Sequence, residues 1–419
     1  MLMRGFALSS ALLLNIMLVR LVSAQDMAIW LLYISIGGVL SALIGMGLPV
    51  LLGRDISAWR ETQCSDFHLL VRSALWRLLS RGGGALALLL ILHTLFPFYV
   101  EYFVVLACSM GALSSALSLY TELLRGFGAT ITAMLVEALP SLLTLLCVFA
   151  FLLSGYTPSV VGELVGISLL SIMLAWSVSI VWFNRIYTSH VTVVCKSDRG
   201  GVAGQPKSIG ELAVDARPIG INELLMRFAG QADLWVASVF LETELMVAYG
   251  LATRFSVLVN ALRMASRGVL QDEVPRLWVR GEIKLLRLRV FDRTRSDFVF
   301  ALAVLSLFFV LGEGLVVLLF GARYAEAWSI GLVLLSGWAL ASGFGPSGLM
   351  LVLTGHQHVI PKRTSIAIAL YLPILLVMAD WWHGLGAALA AAGFHVFLAV
   401  HSAVLLRHKL GFWLFTRPD

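Results

Sequence analysis

The segment "NELLMRFAGQADLW", residues 222 to 235, puts Glu223, Arg227 and Asp233 inside an otherwise apolar run. An ionisable side chain near the centre of a bilayer costs about 2.5–3.5 kcal/mol on insertion scales, so three on one helix require partners or water. Glu223 and Arg227 are four residues apart with the acid first, the favourable order for a pair on one helical face. Near the inner end of the helix they can satisfy each other. Asp233 lies about 9 Å further along the axis and roughly 120° around it, out of easy reach of Arg227. The outer turn after this helix is expected in "LETEL", centred near residues 243 and 244. That centre sets Asp233 at the depth of Arg254 and Arg227 opposite Asn260. Two readings stay open for Asp233 and Arg254: a buried ion pair that fixes helix register, or a polar patch facing a water-filled cavity.

The first half of the chain offers fewer such groups. Asn15 and Arg20 fall on the first apolar run, and Glu137 lies about one turn before Pro140 on the fifth. Proline leaves a backbone carbonyl without its helical donor, and that carbonyl can help to build a polar pocket. Glu137 is thus open between a coupling-ion site, for H+ or Na+, and a hydrogen-bonded core acid; Asp233 is the other candidate for coupling. His356 and His358 in "GHQH" are spaced i, i+2 in a loop with no third ligand in view, so no metal is expected. "RGGGA" at 81–85 opens an apolar run with no preceding strand and no following Gly-Lys-Ser/Thr, which fits close helix packing and not a phosphate loop. Cys64, Cys108, Cys147 and Cys195 show no disulfide or metal spacing. No cofactor is implied.

These groups must be positioned by membrane helices. The 419 residues are 59% hydrophobic and 13% charged, with a mean hydropathy of +0.92, against about 25% charged residues in a soluble domain. Apolar runs long enough to cross a roughly 30 Å hydrocarbon core recur from end to end. The pattern predicts an all-α integral membrane protein with about twelve crossings. The first six lie near 5–23, 28–52, 74–97, 101–123, 130–153 and 160–184, and the second six near 218–241, 246–266, 297–320, 327–353, 362–380 and 384–406. Val22-Ser23-Ala24 imitates a signal-peptidase site, but Arg20 and the length of the run favour a retained first crossing.

With both ends in the cytoplasm, about 26 of the 30 Lys and Arg residues fall on the inner side, against Arg20 and Arg323 outside. The net charge of +6 therefore reflects loops facing anionic membrane lipids and does not point to nucleic acid. In 267–295, Arg276, Arg280, Lys284 and Arg287 fall on one helical face among leucines, the pattern of a basic helix on the inner leaflet, a solvated loop, or a docking surface for a partner enzyme. The longest polar, Gly-containing stretch divides the crossings six and six, giving a first lobe at 1–189, a cytoplasmic linker at 190–217 and a second lobe at 218–419. "LLRGFGATIT" (123–132) and "VLTGHQHVIP" (352–361) form a faint internal echo, with Gly126 and Gly355 in corresponding places. Six crossings per half make any repeat parallel, with a pseudo-twofold axis along the membrane normal, as in alternating-access transporters. The short outer loops leave little room for an enzyme's active site.

Along most of its length the chain resembles the polysaccharide flippase branch of the multidrug/oligosaccharidyl-lipid/polysaccharide exporter superfamily. The resemblance is carried by "RLVSAQDMAIW" (20–30), "GLPVLLGRDIS" (47–57), "LLRGFG" (123–128), "QADLWVASVFLETELMVAYGLATRF" (231–255), "LFGARYAEAWSIGLVLL" (319–335) and "LTGHQ" (353–357). Ala28 departs from the family's usual glycine. The resemblance implies a V-shaped pair of six-helix lobes whose first, second, seventh and eighth helices line a central cavity. It also implies movement of an undecaprenyl-pyrophosphate-linked oligosaccharide from the inner to the outer leaflet of the bacterial inner membrane, for surface polysaccharide synthesis. An anionic lipid-linked cargo of this kind makes Arg20, Arg54, Arg227 and Arg254 candidates for the diphosphate or acidic sugars. Polysaccharide polymerase or assembly proteins are possible partners. The alternatives are a multidrug/cation antiporter of the same superfamily, for which an acid-dominated cavity is expected, and a membrane glycan polymerase or ligase, which needs a large outer loop that this sequence lacks.

Overall fold

A computed structural model describes residues 2–53, 67–95, 102–154, 160–194, 209–356 and 359–416. Its helices are α1 (Leu2–Leu21), α2 (Ala24–Gly45), α3 (Phe67–Leu95), α4 (Tyr102–Gly126), α5 (Thr130–Ser154), α6 (Val165–Val194), α7 (Ile209–Phe240), α8 (Thr243–Val279), α9 (Ile283–Phe320), α10 (Ala327–Gly343), α11 (Ser347–Leu353) and α12 (Val359–Leu410). No strand forms among the described residues. Seven helices are long and apolar enough to cross a membrane, and α10 with α11, bent by 45° at their junction, makes an eighth.

The 52-residue α12 contains a reversal. Trp382 and His383 leave helical geometry, with φ of −122° and 51°. The rings of Tyr371 and Phe394, placed almost evenly about that break, meet at 4.7 Å between centroids. The two last crossings expected from the sequence are therefore one hairpin with a very short turn. With α10–α11 taken as one and α12 as two, the described residues hold twelve long helical segments, six in each half, and the chain is a multi-pass membrane protein.

Two compact units divide the chain, Leu2–Phe228 and Ala229–Asp419, so the boundary falls inside α7. In the first unit α2 packs on α4, α1 on α5, and both α4 and α5 on α6. Small residues allow the closest approach. A Cβ on Gly111 of α4 would sit 2.8 Å from the Leu40 Cβ and 3.1 Å from the Gly37 carbonyl oxygen of α2. Between lipid-immersed helices such backbone proximity gives dispersion contacts that larger side chains would forbid. At the corner between α1 and α2, Ser23 caps α2 by accepting a 3.1 Å hydrogen bond from the Asp26 N–H. The "VSAQD" stretch thereby forms a sharp helix-to-helix corner.

In the second unit α10 lies against α8, α9 and α12. Phe255 of α8 and Phe308 of α9 stack at 4.7 Å, and a Cβ on Gly337 of α10 would fall 2.5 Å from the Ala392 Cβ of α12. At the N-terminal end of α8, Glu244 pairs at 2.5 Å with Arg323, and this hydrogen-bonded carboxylate raises the Arg323 guanidinium above its ordinary range.

One element differs from expectation. The basic residues of 267–295 do not share one helix. α8 runs on to Val279, and the chain turns through Gly281, at φ +71°, before α9 begins at Ile283. Glycine reaches that left-handed conformation without the Cβ penalty, and this local signal outweighs the helical periodicity that joined Arg276 to Arg287. Beyond α12, Phe412 and Leu414 are buried in a cluster with Leu270, Val274, Leu286, Val290, Met350 and Leu351. The Arg287 guanidinium lies 5.2 Å from the Phe412 ring centroid and that of Arg407 lies 4.8 Å from Trp413. Phe415 meets Phe344 edge-on, beside the α10–α11 bend. This strap ties the basic ends of α8, α9 and α12 to the bend.

Leu414→Ala should remove about 2–5 kcal/mol of packing and lower the melting temperature of the detergent-purified protein, whereas Leu414→Met should leave it nearly unchanged. Scanning fluorimetry of the two variants distinguishes a packed strap from a loose tail.

Candidate functional site

The turn between α7 and α8 consists of Leu241 and Glu242 alone. Its centre lies about two residues before the position read from "LETEL", and that displacement doubles across a hairpin. The residue at the depth of Asp233 becomes Gly250 or its neighbour Tyr249, and no longer Arg254. Accordingly the Tyr249 hydroxyl donates a 2.8 Å hydrogen bond to Oδ2 of Asp233. The Leu234 N–H donates a second, also of 2.8 Å, to Oδ1. Asp233 is 7% exposed and Tyr249 fully buried. Tyr371 of α12 is near enough to act on Asp233 electrostatically.

The expected Asp233–Arg254 pair does not form. Arg254 makes no ion pair with a described residue, and its Nε is buried without a hydrogen-bond partner. Asp233 is therefore a carboxylate held by two neutral donors with no cation beside it among the described residues. That arrangement fixes the carboxyl while leaving its charge open to an incoming proton or metal cation.

A second polar cluster lies within the first unit. A cavity of about 360 Å³ is lined by Ser41 of α2, by Ser114, Ser115, Ser118 and Thr121 of α4, by Glu137 of α5 and by Glu223 and Arg227 of α7. The four α4 hydroxyls recur at helical spacing on one face. The Ser115 hydroxyl is buried without a hydrogen-bond partner. Arg227 pairs with Glu223 at 3.3 Å and stays 53% exposed. Beside the cavity, Arg125 at the end of α4 reaches Glu137 at 2.5 Å and also binds Glu122 one turn before it. The Pro140 carbonyl accepts a 2.8 Å hydrogen bond from the Thr144 hydroxyl, whose oxygen is 3.2 Å from that of Ser171 on α6.

Of the residues singled out in the sequence, Glu137 and Arg227 share this cavity, while Asp233 and Arg254 belong to the other unit. Arg20 is exposed in the last turn of α1, where a cation suits the negative end of the helix dipole. Asn15 is buried on α1, with its amide N–H donating to the Ala11 carbonyl at 2.7 Å. Asn260 lies on α8, with its side chain outside the described residues; Arg54 and His358 are outside them altogether.

Sequence reasoning missed Tyr249, Glu122 and the α4 hydroxyl row. Tyr249 becomes visible once the turn is shortened to two residues. The row is visible as serine and threonine on one face of an apolar helix. Glu122 is visible as the i−3 partner of Arg125.

Neither a protein-family sequence model nor a curated protein sequence matches the chain. Solved structures do. A MATE transporter in the straight conformation is similar with a TM-score of 0.68 and 16% identity, covering 98% of this chain and 94% of that one. A mutant form of the Vibrio cholerae MATE transporter VcmN is similar with a TM-score of 0.63 and 16% identity, covering 99% and 96%. An outward-facing multidrug resistance MATE family transporter of the MOP superfamily has a TM-score of 0.66 at 16% identity, covering 98% and 93%. The chain thus has the MATE fold, over nearly its whole length. At 16% identity the likeness is one of fold, and it bears out the expected all-helical membrane architecture without reaching the polysaccharide branch.

Removing the cation from the Glu122–Arg125–Glu137 group should cost more than removing one acid. Arg125→Ala leaves two carboxylates facing each other, and its stability loss should lie between the exposed-pair value of under about 1 kcal/mol and the buried-pair value of about 3–5 kcal/mol. Glu137→Gln should lose less, because Arg125 keeps Glu122. Thermal melts of both purified variants test that order.

Proposed function

We propose that this chain is an ion-coupled, alternating-access exporter of amphipathic organic compounds, the reading closest to the multidrug transporters whose fold it shares. The observation that carries it is Asp233, a buried carboxyl two turns inside the end of α7 with two neutral donors and no counter-cation among the described residues. Within membrane helices such a group usually belongs to an ion pathway. Binding a proton or Na+ there neutralises the charge, and release to the other side restores it. A cycle that binds cargo only in one of these charge states couples the two movements.

Cargo class follows from the first unit's cavity. Of the arginines named for an anionic cargo, Arg227 is partly held by Glu223, and beside the cavity Arg125 is held by two glutamates. Three carboxylates against two guanidiniums leave this group with a slight negative balance, suited to cationic or neutral cargo. The hydroxyl row adds hydrogen bonds without charge.

A second reading, flipping of an undecaprenyl-pyrophosphate-linked oligosaccharide, is favoured by one feature. The Arg227 guanidinium makes a single 3.3 Å contact to Glu223 and remains 53% exposed, so donors are left over for a phosphate, which guanidinium matches bidentately. The hydroxyl row would also suit a sugar. This reading carries with it the inner-membrane location, and a polymerase as partner.

Proteoliposomes separate the two. An imposed proton or Na+ gradient should drive uptake of a cationic dye by the wild-type protein. Asp233→Asn should abolish the gradient-driven part while dye binding, read by fluorescence quenching, persists. Movement of a fluorescent lipid-linked sugar diphosphate, lost in Arg227→Ala, together with no dye transport, would replace the first reading by the second.

A further inference from the structure

The first four turns of α9 extend beyond its lipid-facing part. Leu286, Val290, Thr294, Asp297 and Ala301 are its buried positions, a single stripe at spacings of three and four, so the opposite side of the helix is turned outward. From Val299 onward that outward side is apolar, with Val299, Phe300 and Leu302 exposed by 57%, 41% and 41%. Just before Val299 the character changes. Arg289, Arg293 and Arg295 are all exposed, with Asp292 as the acid among them.

At 100° per residue, Arg289 and Arg293 stand one turn apart on one flank of the outward face, and Arg295 stands on the other. None of the three makes an ion pair with a described residue, whereas Arg287 on the same helix is engaged by the Phe412 ring. Along the axis Arg295 lies about 6 Å and Arg293 about 9 Å beyond Val299, with Arg289 one turn further. A headgroup layer is about 5–8 Å thick on each side of the hydrocarbon, so Arg295 lies within it, Arg293 at its edge, and Arg289 outside it but within the roughly 8–10 Å over which an anionic surface attracts a cation.

We propose that Arg289, Arg293 and Arg295 form a collar that binds the phosphates of anionic phospholipids where α9 leaves the hydrocarbon. The occupant is fixed by position and charge. The collar begins within one turn of the last lipid-facing apolar residue, and its guanidiniums outnumber the single acid between them. Phosphate oxygens supply the acceptors that these donors lack among the described residues. Bound lipid would set the depth of α9.

Native mass spectrometry of the detergent-purified protein tests this, with phosphatidylglycerol and phosphatidylcholine of the same chain length as competing probes. Wild type and R289K/R293K/R295K should retain phosphatidylglycerol over phosphatidylcholine. R289Q/R293Q/R295Q should lose that preference by a factor on the order of 100, at about the worth of one surface cation for each charge removed. An undiminished preference in the glutamine variant overturns the proposal, because the lipid then binds elsewhere. Displacement of phosphatidylglycerol by equimolar inorganic phosphate overturns it too, since the site would then read phosphate without a membrane surface. The glutamine variant should elute and melt like wild type in phosphatidylcholine; misfolding would make the arginines structural and equally overturn it.

Discussion

The hydrogen bond from the Tyr249 hydroxyl to the Asp233 carboxylate, 2.8 Å long and out of contact with solvent, constrains the second unit's chemistry. It exists because α7 and α8 are joined by two residues, so the helices face each other in a fixed register from the turn downward. A carboxylate in low dielectric needs donors or a cation, and this one has donors only among the described residues. A guanidinium in place of the phenol would have neutralised it permanently. A phenol holds the carboxyl in place without cancelling its charge, which is the condition for a group that exchanges a cation during a cycle.

The first unit solves the same dielectric problem differently. The charges at and beside its cavity are paired: Arg125 lies between Glu122, one turn before it, and Glu137 of the next helix, and Arg227 lies beside Glu223. The repeat therefore holds unlike contents. Asn15 is six residues before the end of α1 and Asp233 seven before the end of α7, comparable depths in the two halves. An amide stands where the second half has an acid. A buried carboxyl with no counter-cation among the described residues in one unit, and a hydroxyl-rich, charge-paired cavity in the other, are what the proposed division between coupling and cargo rests on.

The twelve crossings were legible in the sequence because apolar runs of bilayer length have few alternative uses. The Glu223–Arg227 pair was legible because i, i+4 geometry is local. The partner of Asp233 was not, since an error of two residues in locating the turn becomes four across the hairpin and exchanges Tyr249 for Arg254. Gly281 had a comparable effect on the basic stretch, where periodicity alone joined residues that a left-handed glycine separates. The Glu122–Arg125–Glu137 group was half visible: Arg125 and Glu137 lie on successive helices, and only their packing brings them to 2.5 Å. Family resemblance led to the superfamily's fold, and the similar solved structures bear that out at the level of fold. Its polysaccharide branch rested on loose motifs spread along the chain; of the four arginines it made candidates, Arg227 meets Glu223, Arg254 has a buried Nε, Arg20 is exposed and Arg54 lies outside the described residues.

The most direct measurement is infrared difference spectroscopy of the protein in a bilayer, recorded as pH or Na+ is varied, with the Asp233 signal identified by its loss in Asp233→Asn. If Asp233 is the coupling group, its carboxyl band should change between protonated and ionised forms, or shift on Na+ binding, and Tyr249→Phe should move the midpoint of that change. An Asp233 band that stays the same across the whole range, in both wild type and Tyr249→Phe, would contradict the central claim and leave Asp233 as a structural hydrogen-bond acceptor.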